Sequence, residues 1–188
     1  MPPKFKFTRE KIIAAGVNVV RKKGMEGLTA RGLAAELGSS PKPIFGLFQN
    51  MDEVQGEVIR AADAIYQARI EKSMAEGRFP PYKASGMAYI HFARDERELF
   101  KLLFMRDRSG EIIREDRESI RPLLDLIMHN LGISEDEANM FHLELWVYVH
   151  GIATMIATSY LEWDEDFVSR TLTDAFEGLK YRYTGGKQ

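Results

Sequence analysis

The apolar residues near the start of the chain recur at the interval of a helix rather than at the alternating interval of a strand. One set repeats every four residues and shares one face: Ile12, Ile13, Gly16, Val17 and Val20. Thr8 precedes this set and can cap a helix, while Gly24 and Gly27 follow it and can end one. The pattern predicts a first amphipathic helix that buries this face.

A second, shorter helix is predicted over residues 30–37. Thr29 can cap its start, and Gly38 stands just after its end, where a positive φ is needed. The inward positions of this helix are Leu33, Ala34 and Leu37. A turn is therefore expected at Gly38.

A third helix is predicted to follow that turn at once. Ser40 can serve as its N-cap and Pro41 suits its first position. The helix is expected to run through Ile44, Phe45 and Phe48, with Ile44 and Phe48 as packing positions. Two short helices joined by a glycine-containing turn form a helix-turn-helix, which presents the N-terminal side chains of its second helix to a DNA major groove.

Beyond residue 51 the pattern remains helical. Asp52 can cap a long helix that runs to about Glu76, where Gly77-Arg78-Phe79-Pro80-Pro81 interrupts it. Further helices are predicted over 84–93, 96–105, 120–131, 135–161 and 165–183, with breaks at Gly110, 132–134 and 163–164. The expected fold is all-α, with a three-helix N-terminal domain over 1–51 and a larger helical domain over 52–188.

Composition narrows the possible functions. The chain has 188 residues, 45% of them hydrophobic, which suffices for a sizeable core, and it has no cysteine. Disulfides, thiolate zinc sites and cysteine nucleophiles are thereby excluded, and a reducing cytoplasm is compatible. Residues 1–7 lack the apolar segment of a secretory signal. We expect a cytoplasmic protein.

One uncharged segment, residues 145–161, deserves comparison with a membrane span. It is 17 residues long and contains His150, Thr154, Thr158 and Ser159. A span needs about 20 mostly apolar residues, so a buried helix and no membrane association are predicted.

Charge is distributed unevenly along the chain. Residues 1–50 carry nine Lys and Arg against three Glu, a net charge of +6, so the remainder carries −8 of the total of −2. A basic N-terminal segment on an acidic body suggests that the first segment meets a polyanion. Such asymmetry also occurs in proteins that never touch nucleic acid, so it indicates a partner only together with the helix-turn-helix.

Residues 28–40 (LTARGLAAELGSS) and 44–54 (IFGLFQNMDEV) resemble the helix-turn-helix of the tetracycline-repressor (TetR) family in order and spacing. The resemblance implies a DNA-binding domain followed by a ligand-binding and dimerisation domain, in a repressor that binds a palindromic double-stranded operator as a homodimer and is released by a small-molecule effector. It also implies a set of DNA-binding residues: Thr29, Arg31, Ser40, Lys42, Phe45 and Gln49.

Three positions depart from the family pattern. Phe45 stands where a phosphate-binding tyrosine is usual, Leu47 where an aromatic residue or histidine is common, and Met51 where a lysine is usual. These departures leave a second possibility open, a small-molecule-binding module of the same fold whose operator recognition is weakened or lost. Lys4 and Lys6 either reach an adjacent groove or form a solvated tail.

The C-terminal part resembles a TetR subgroup less strongly, through residues 89–93 (YIHFA), 98–104 (ELFKLLF) and 146–151 (WVYVHG), the last of these a Trp-Val-x-x-His-Gly signature. Its aromatic, methionine and histidine residues either line a pocket for a hydrophobic or aromatic effector or fill the core. The candidates for ligand binding are Tyr89, Phe92, Phe104, Met105, Met128, His142 and Trp146, with Phe100, Phe141 and His150 as further members of the set. No metal or other cofactor is expected.

The last two predicted helices carry apolar stripes that favour a four-helix dimer interface, unless the stripes pack within one chain. The candidate interface residues are Ile156, Tyr160, Phe167, Thr171, Ala175 and Leu179. An enzyme is not expected, because no Glu is followed three residues later by His and no nucleophile elbow is present.

Overall fold

The computed structural model describes residues 7–107, 109 and 120–186, and within these ranges it contains helices and no β-strand. Lys4, Lys6 and the predicted break at Gly110 lie outside the described residues. The α-helices are α1 (Arg9–Lys23), α2 (Ala30–Glu36), α3 (Lys42–Phe45), α4 (Met51–Ala75), α5 (Pro81–Asp95), α6 (Arg97–Phe104), α7 (Arg121–Leu131), α8 (Glu135–Ala157) and α9 (Glu165–Thr184). The all-α prediction is confirmed.

Capping residues set most of these boundaries. The Thr8 and Thr29 hydroxyls accept hydrogen bonds from the backbone N–H groups of Lys11 and Gly32, as the sequence predicts. Gly38 has the expected positive φ of 58° after α2. At α8 the Ser134 side chain forms a capping box with Glu137, so two orphan N–H groups are satisfied at once.

Helix α3 is shorter than predicted. Its N-cap is Pro41 rather than Ser40, no side chain caps it, and it ends before Gly46 instead of continuing through Phe48. Gly46 is a weak helix former that comes directly after the first turn, which favours a helix of only one turn.

Several other boundaries differ from the prediction; α5, for example, spans Pro81–Asp95 rather than 84–93. Asn50, not Asp52, caps α4, since its side-chain oxygen accepts the Glu53 N–H at 2.9 Å. Helix α8 ends at Ala157 rather than Leu161, because Ser159 adopts a φ of 56° and the Tyr160 N–H donates back to the Met155 carbonyl at 2.9 Å. A serine in this left-handed position gives no sequence signal comparable to glycine.

The described chain forms two compact units. The first comprises residues 7–68 and 95–106 and therefore holds α1, α2, α3, α6 and most of α4. Its fully buried side chains include Ile12, Val20, Leu33, Ile44, Val54, Val58 and Leu99. Gly16 permits a close approach of α1 and α4, because a Cβ there would overlap a methyl group of Val58.

The second unit comprises residues 69–94, 107, 109 and 120–186. One of its cores is a cluster contributed by α7 and α8: Leu124, Ile127, Ala138, Phe141 and Leu145. The Phe141 ring packs edge-on against Phe176 and Tyr183 of α9, at centroid distances of 5.3 and 5.6 Å. These contacts tie α9 to the α7–α8 pair.

Among the described residues, α8 is long and apolar enough to cross a membrane by length and composition. A core helix passes the same test, and α8 buries one face that includes Phe141, Leu145, Val149 and Ile152. Its passing this test is weak evidence for a membrane span.

Candidate functional site

The α2–turn–α3 segment is a helix-turn-helix whose buried and exposed side chains separate cleanly. Leu33 and Ala34 of α2 and Ile44 of α3 are buried, as is Phe48 just beyond α3. Ile44 and Phe48 are thus packing positions, as the sequence predicts. Fixing both helices through their apolar sides leaves their remaining side chains available to a partner.

All six predicted DNA-binding residues are exposed. They are Thr29, Arg31, Ser40, Lys42, Phe45 and Gln49. The Thr29 hydroxyl oxygen already accepts the Gly32 N–H at 3.0 Å. Its primary role in this structure is to start α2 next to Arg31.

Basic residues of the first unit differ in whether a carboxylate binds them. Arg21 pairs with Glu96 at 2.7 Å and Lys22 with Glu36 at 2.7 Å. By contrast, neither Arg31 nor Lys42 makes an ion pair or a side-chain hydrogen bond with any residue that the structure describes. We call Arg31 and Lys42 the open cations. A cation without a carboxylate partner can neutralise a phosphate, and the release of the cations condensed on that phosphate drives binding to DNA.

Arg9 fastens the segment that follows α3, a role that sequence reasoning missed. Its guanidinium donates to the Leu47 carbonyl at 2.6 Å and to Glu53 at 2.8 Å, and it lies 4.1 Å from the centre of the Phe48 ring. The hydrogen bond from the Gln49 backbone N–H is the main cause that lowers the pKa of the Glu53 carboxyl, and the hydrogen bond from Arg9 lowers this pKa further. Nothing in the local pattern signals this network, because Arg9 and Leu47 are 38 positions apart.

The three departures from the family pattern have different surroundings. Phe45 is 45% exposed and, as a phenylalanine, has no hydroxyl to offer a phosphate. Leu47 and Met51 are partly buried. The carbonyl of Leu47 serves the Arg9 network. The departure with the most exposed side chain is therefore Phe45.

The candidate ligand-binding residues divide between the two units. Phe104 and Met105 belong to the first, where the Phe104 ring packs against Phe100 and Tyr66. The others belong to the second: Tyr89, Phe92, Met128, His142 and Trp146. Phe92 and Tyr89 are buried, and Met128 packs on the Phe141 cluster.

The Trp-Val-x-x-His-Gly segment has a structural explanation on α8. Trp146 stacks on His150 one turn later, with ring centroids 5.0 Å apart and an interplanar angle of 15°. The buried Tyr89 hydroxyl lies 2.8 Å from His150 Nδ1. Burial lowers the pKa of His150, which favours its neutral form. The signature therefore places an aromatic and a polar ring side by side, with Trp146 39% exposed.

His142 has a similar partner that the sequence did not indicate. The Tyr82 hydroxyl lies 3.1 Å from His142 Nδ1. Burial lowers the pKa of His142 and raises that of Tyr82, so both groups are neutral near pH 7. Among the described residues, no group of three or more His, Cys, Asp or Glu is placed to hold a metal ion.

The predicted dimer residues lie at different depths within a single chain. Tyr160 and Phe167 are exposed, whereas Ile156 is 1% exposed. Ala175 and Leu179 pack against the Phe141 cluster, and Thr171 is partly buried.

Other exposed apolar residues of α8 share one face and were missed by sequence reasoning. They recur at intervals of seven and eight residues: Met140, Val147, Tyr148 and Met155. Tyr181 is exposed on α9 at fourteen residues from Phe167, which places the two on the same face. We call these six residues the apolar stripe. Their signal in the sequence is weak, because the opposite face of α8 is also apolar.

A helix-turn-helix that precedes a larger helical unit defines the class of helical transcriptional regulators. Within that class, a family model described as the tetracyclin repressor-like C-terminal domain matches residues 82–177, half of the chain. The chain belongs to this family, whose members are ligand-responsive transcriptional regulators rather than enzymes. The match falls on the part of the chain where the resemblance by motif is the weaker one.

Solved structures show the same fold. A TetR-like transcriptional regulator from Rhodococcus sp. RHA1 is similar with a TM-score of 0.65 at 16% identity, over 100% of both chains. SmeT, the repressor of the Stenotrophomonas maltophilia multidrug efflux pump SmeDEF, is similar with a TM-score of 0.55 at 19% identity, over 95% of this chain and 91% of SmeT. No curated protein matches the chain. At these identities the likeness concerns the fold alone.

Proposed function

We propose that this regulator is a cytoplasmic repressor that binds a palindromic DNA operator as a homodimer and leaves it when a small hydrophobic or aromatic effector binds. Residues 1–51 are the DNA-binding domain and 52–188 the ligand-binding and dimerisation domain. The proposal needs neither a cofactor nor a membrane.

One observation carries the DNA-binding part of this proposal. The open cations are exposed on the two helices of the helix-turn-helix, while other cations such as Arg21 and Lys22 are bound to carboxylates. In the proposed complex, Arg31 contacts phosphate from the start of α2, with Thr29 positioning it. Ser40, Lys42, Phe45 and Gln49 face the major groove or its phosphate rim.

The dimer is proposed to form through α8 and α9 of each chain. The apolar stripe gives this contact its exposed area, together with Tyr160 and Thr171. Ile156, Ala175 and Leu179 support the two helices from the core side. A dimer is needed because a single recognition helix reads too few base pairs, and two half-sites supply the rest.

The effector is proposed to bind in the C-terminal domain. Tyr89, His142 and Trp146 offer polar atoms within largely apolar surroundings, the combination that orients a small ligand. Phe92 and Met128 of the same unit supply apolar wall or support. An aromatic effector suits the partly exposed Trp146 ring, which already stacks on His150.

A second function is favoured by a specific observation. Phe45, Leu47 and Met51 all lack the polar groups that the family pattern has at these positions. A module that binds a small molecule but has lost its operator would fit those substitutions.

A mobility-shift assay separates the two functions. The full-length protein is titrated onto duplex fragments from the neighbouring genes at 50 mM and at 200 mM salt. A regulator retards at least one fragment, and the affinity falls steeply as the salt concentration rises. Failure to retard any fragment at the lower salt concentration would favour the module without an operator.

A further inference from the structure

Phe45 is an exposed aromatic residue on a helix that otherwise buries its apolar side chains. Phe45 is 45% exposed, whereas Ile44 is fully buried and Phe48 is 3% exposed. The core beneath α3 is thus already filled without Phe45. An aromatic ring left in water at this position is stabilised only when a partner covers it.

The surroundings of Phe45 indicate the kind of partner. The open cation Lys42 lies in the same single-turn helix, and Arg31 opens the preceding one. Unpaired positive charge on the same two helices as an exposed apolar ring is complementary to a polyanion rather than to an apolar protein surface. DNA is the polyanion that the proposed function already supplies.

The geometry of α3 suits recognition by a fixed ring. Pro41 has a φ of −64° and Pro43 follows two residues later, so the backbone that precedes Phe45 has little freedom. A pre-ordered contact loses less entropy on binding than a flexible one.

We infer that Phe45 recognises the 5-methyl group of a thymine in the major groove and thereby sets a T·A preference at one position of each operator half-site. A phenyl ring has no donor or acceptor for a phosphate oxygen or a polar base edge. The thymine methyl is the apolar group that the major groove displays, and phenylalanine is among the side chains that contact it. The inference rests on the proposed function and adds the base chemistry that this position reads.

The test removes the methyl group and nothing else from the DNA. The full-length protein first enriches its preferred duplexes from a random-sequence library. The enriched pool is then amplified either with thymidine triphosphate or with deoxyuridine triphosphate, which yields the same sequences with and without the 5-methyl groups. Dissociation constants for both pools are measured by fluorescence anisotropy for the wild type, Phe45→Ala and Lys42→Ala.

The wild type should bind the thymine pool more tightly, by about fourfold for each contacted methyl group and about fifteenfold when both half-sites contribute. Phe45→Ala should bring this ratio close to one. Lys42→Ala should weaken binding to both pools equally and leave the ratio unchanged. The ratio in Phe45→Ala also corrects for any effect of uracil on DNA shape, as in a double-mutant cycle.

The outcomes separate this inference from the proposed function. Equal, salt-dependent binding of both pools by the wild type overturns the methyl contact and leaves the regulator intact. A Phe45→Ala variant that weakens both pools by the same factor also overturns it, and indicates a wedge between bases instead. If the library yields no enriched pool, the proposed function and the inference fail together. Circular dichroism verifies that each variant is folded, and Phe45→Leu, which retains an apolar contact, should keep part of the ratio.

Discussion

The two compact units differ in the kind of side chain that they leave exposed. In the first unit, the surface of the helix-turn-helix presents the open cations and small polar residues, with Phe45 as its exposed aromatic residue. In the second unit, the exposed residues of α8 and α9 include the apolar stripe and Tyr160. The first surface is suited to a polyanion and the second to another protein chain.

The difference shows that a binding surface is identified by what folding leaves unsatisfied. Three of the five basic residues of α1 are held by Glu36, Glu53, Glu57 or Glu96, so their number alone overstates the charge available to DNA. Likewise, most apolar residues of α8 and α9 are used by the core. The remaining few carry the proposed contacts.

The largest effect is expected from a charge in the apolar stripe. Val147 is 64% exposed, so Val147→Asp should fold but should separate the dimer, because an aspartate would be buried without a partner. Loss of the second half-site should weaken operator binding by about a hundredfold or more. Sedimentation velocity and anisotropy measure the two effects. The matched control is Asn130→Asp at an exposed position of α7, and a Val147→Asp protein that remains dimeric would contradict the assignment.

A smaller effect is expected from the open cations. Arg31→Glu should lower operator affinity by about tenfold to a hundredfold, since it reverses a charge beside phosphate, and Lys42→Ala should lower it less. Lys42→Ala should also reduce the slope of log affinity against log salt by about one. Titrations at several salt concentrations measure both. Lys72→Glu makes the same charge change in the second unit and should have little effect. Negligible effects of both Arg31→Glu and Lys42→Ala on operator affinity would rule out the proposed docking.

The paired and open cations should respond in opposite ways to neutralisation. Arg9→Gln removes the donor to the Leu47 carbonyl and to Glu53, so the thermal midpoint should fall. Arg31→Gln should leave the midpoint unchanged and lower DNA affinity. Thermal unfolding followed by circular dichroism gives the midpoints. If the thermal midpoint fell equally in both variants, the distinction between paired and open cations would be wrong.

The smallest effect is a pH dependence of stability from His142. Burial lowers the pKa of His142 in the folded chain, and the unfolded value is about 6.5. Above pH 6.5 the group is neutral in both states and contributes nothing. Below it, only the unfolded chain gains the proton, so stability falls by at most about 1.4 kcal/mol per pH unit.

Urea unfolding between pH 7.5 and 5 tests this dependence. His142→Gln should flatten the curve, and His129→Gln at an exposed position of α7 serves as the control. An unchanged curve in His142→Gln would show that other groups cause the acid sensitivity.

The sequence was most informative where a structure depends on neighbouring residues. The caps at Thr8 and Thr29 and the turn at Gly38 form as predicted, because each involves groups within a few positions of one another. The length of α3 and the end of α8 were predicted wrongly. Gly46 only weakly disfavours continuation of α3, and Ser159 gives no glycine-like signal for the left-handed conformation that ends α8.

The site predictions likewise divide into those that depend on neighbouring residues and those that depend on tertiary packing. The exposure of the six candidate DNA-binding residues follows from the helix-turn-helix pattern, since the buried positions of two short helices define the exposed ones. By contrast, the division of the apolar residues of α8 and α9 between the core and the proposed dimer surface did not follow from the sequence pattern. In the sequence of α9, the spacing of Ala175 and Leu179 predicts that they belong to the same apolar face as Phe167. In the structure they pack against the Phe141 cluster instead.

By itself, the sequence determined the all-α class, the position of the helix-turn-helix and the family resemblance, because periodicity and capping are local properties of a chain. Only the tertiary structure decided which cations are neutralised, and which tyrosine meets each histidine. Arg21 finds Glu96 across 75 positions and Tyr89 finds His150 across 61. Such pairings arise when packed helices bring distant residues together, and no local pattern encodes them.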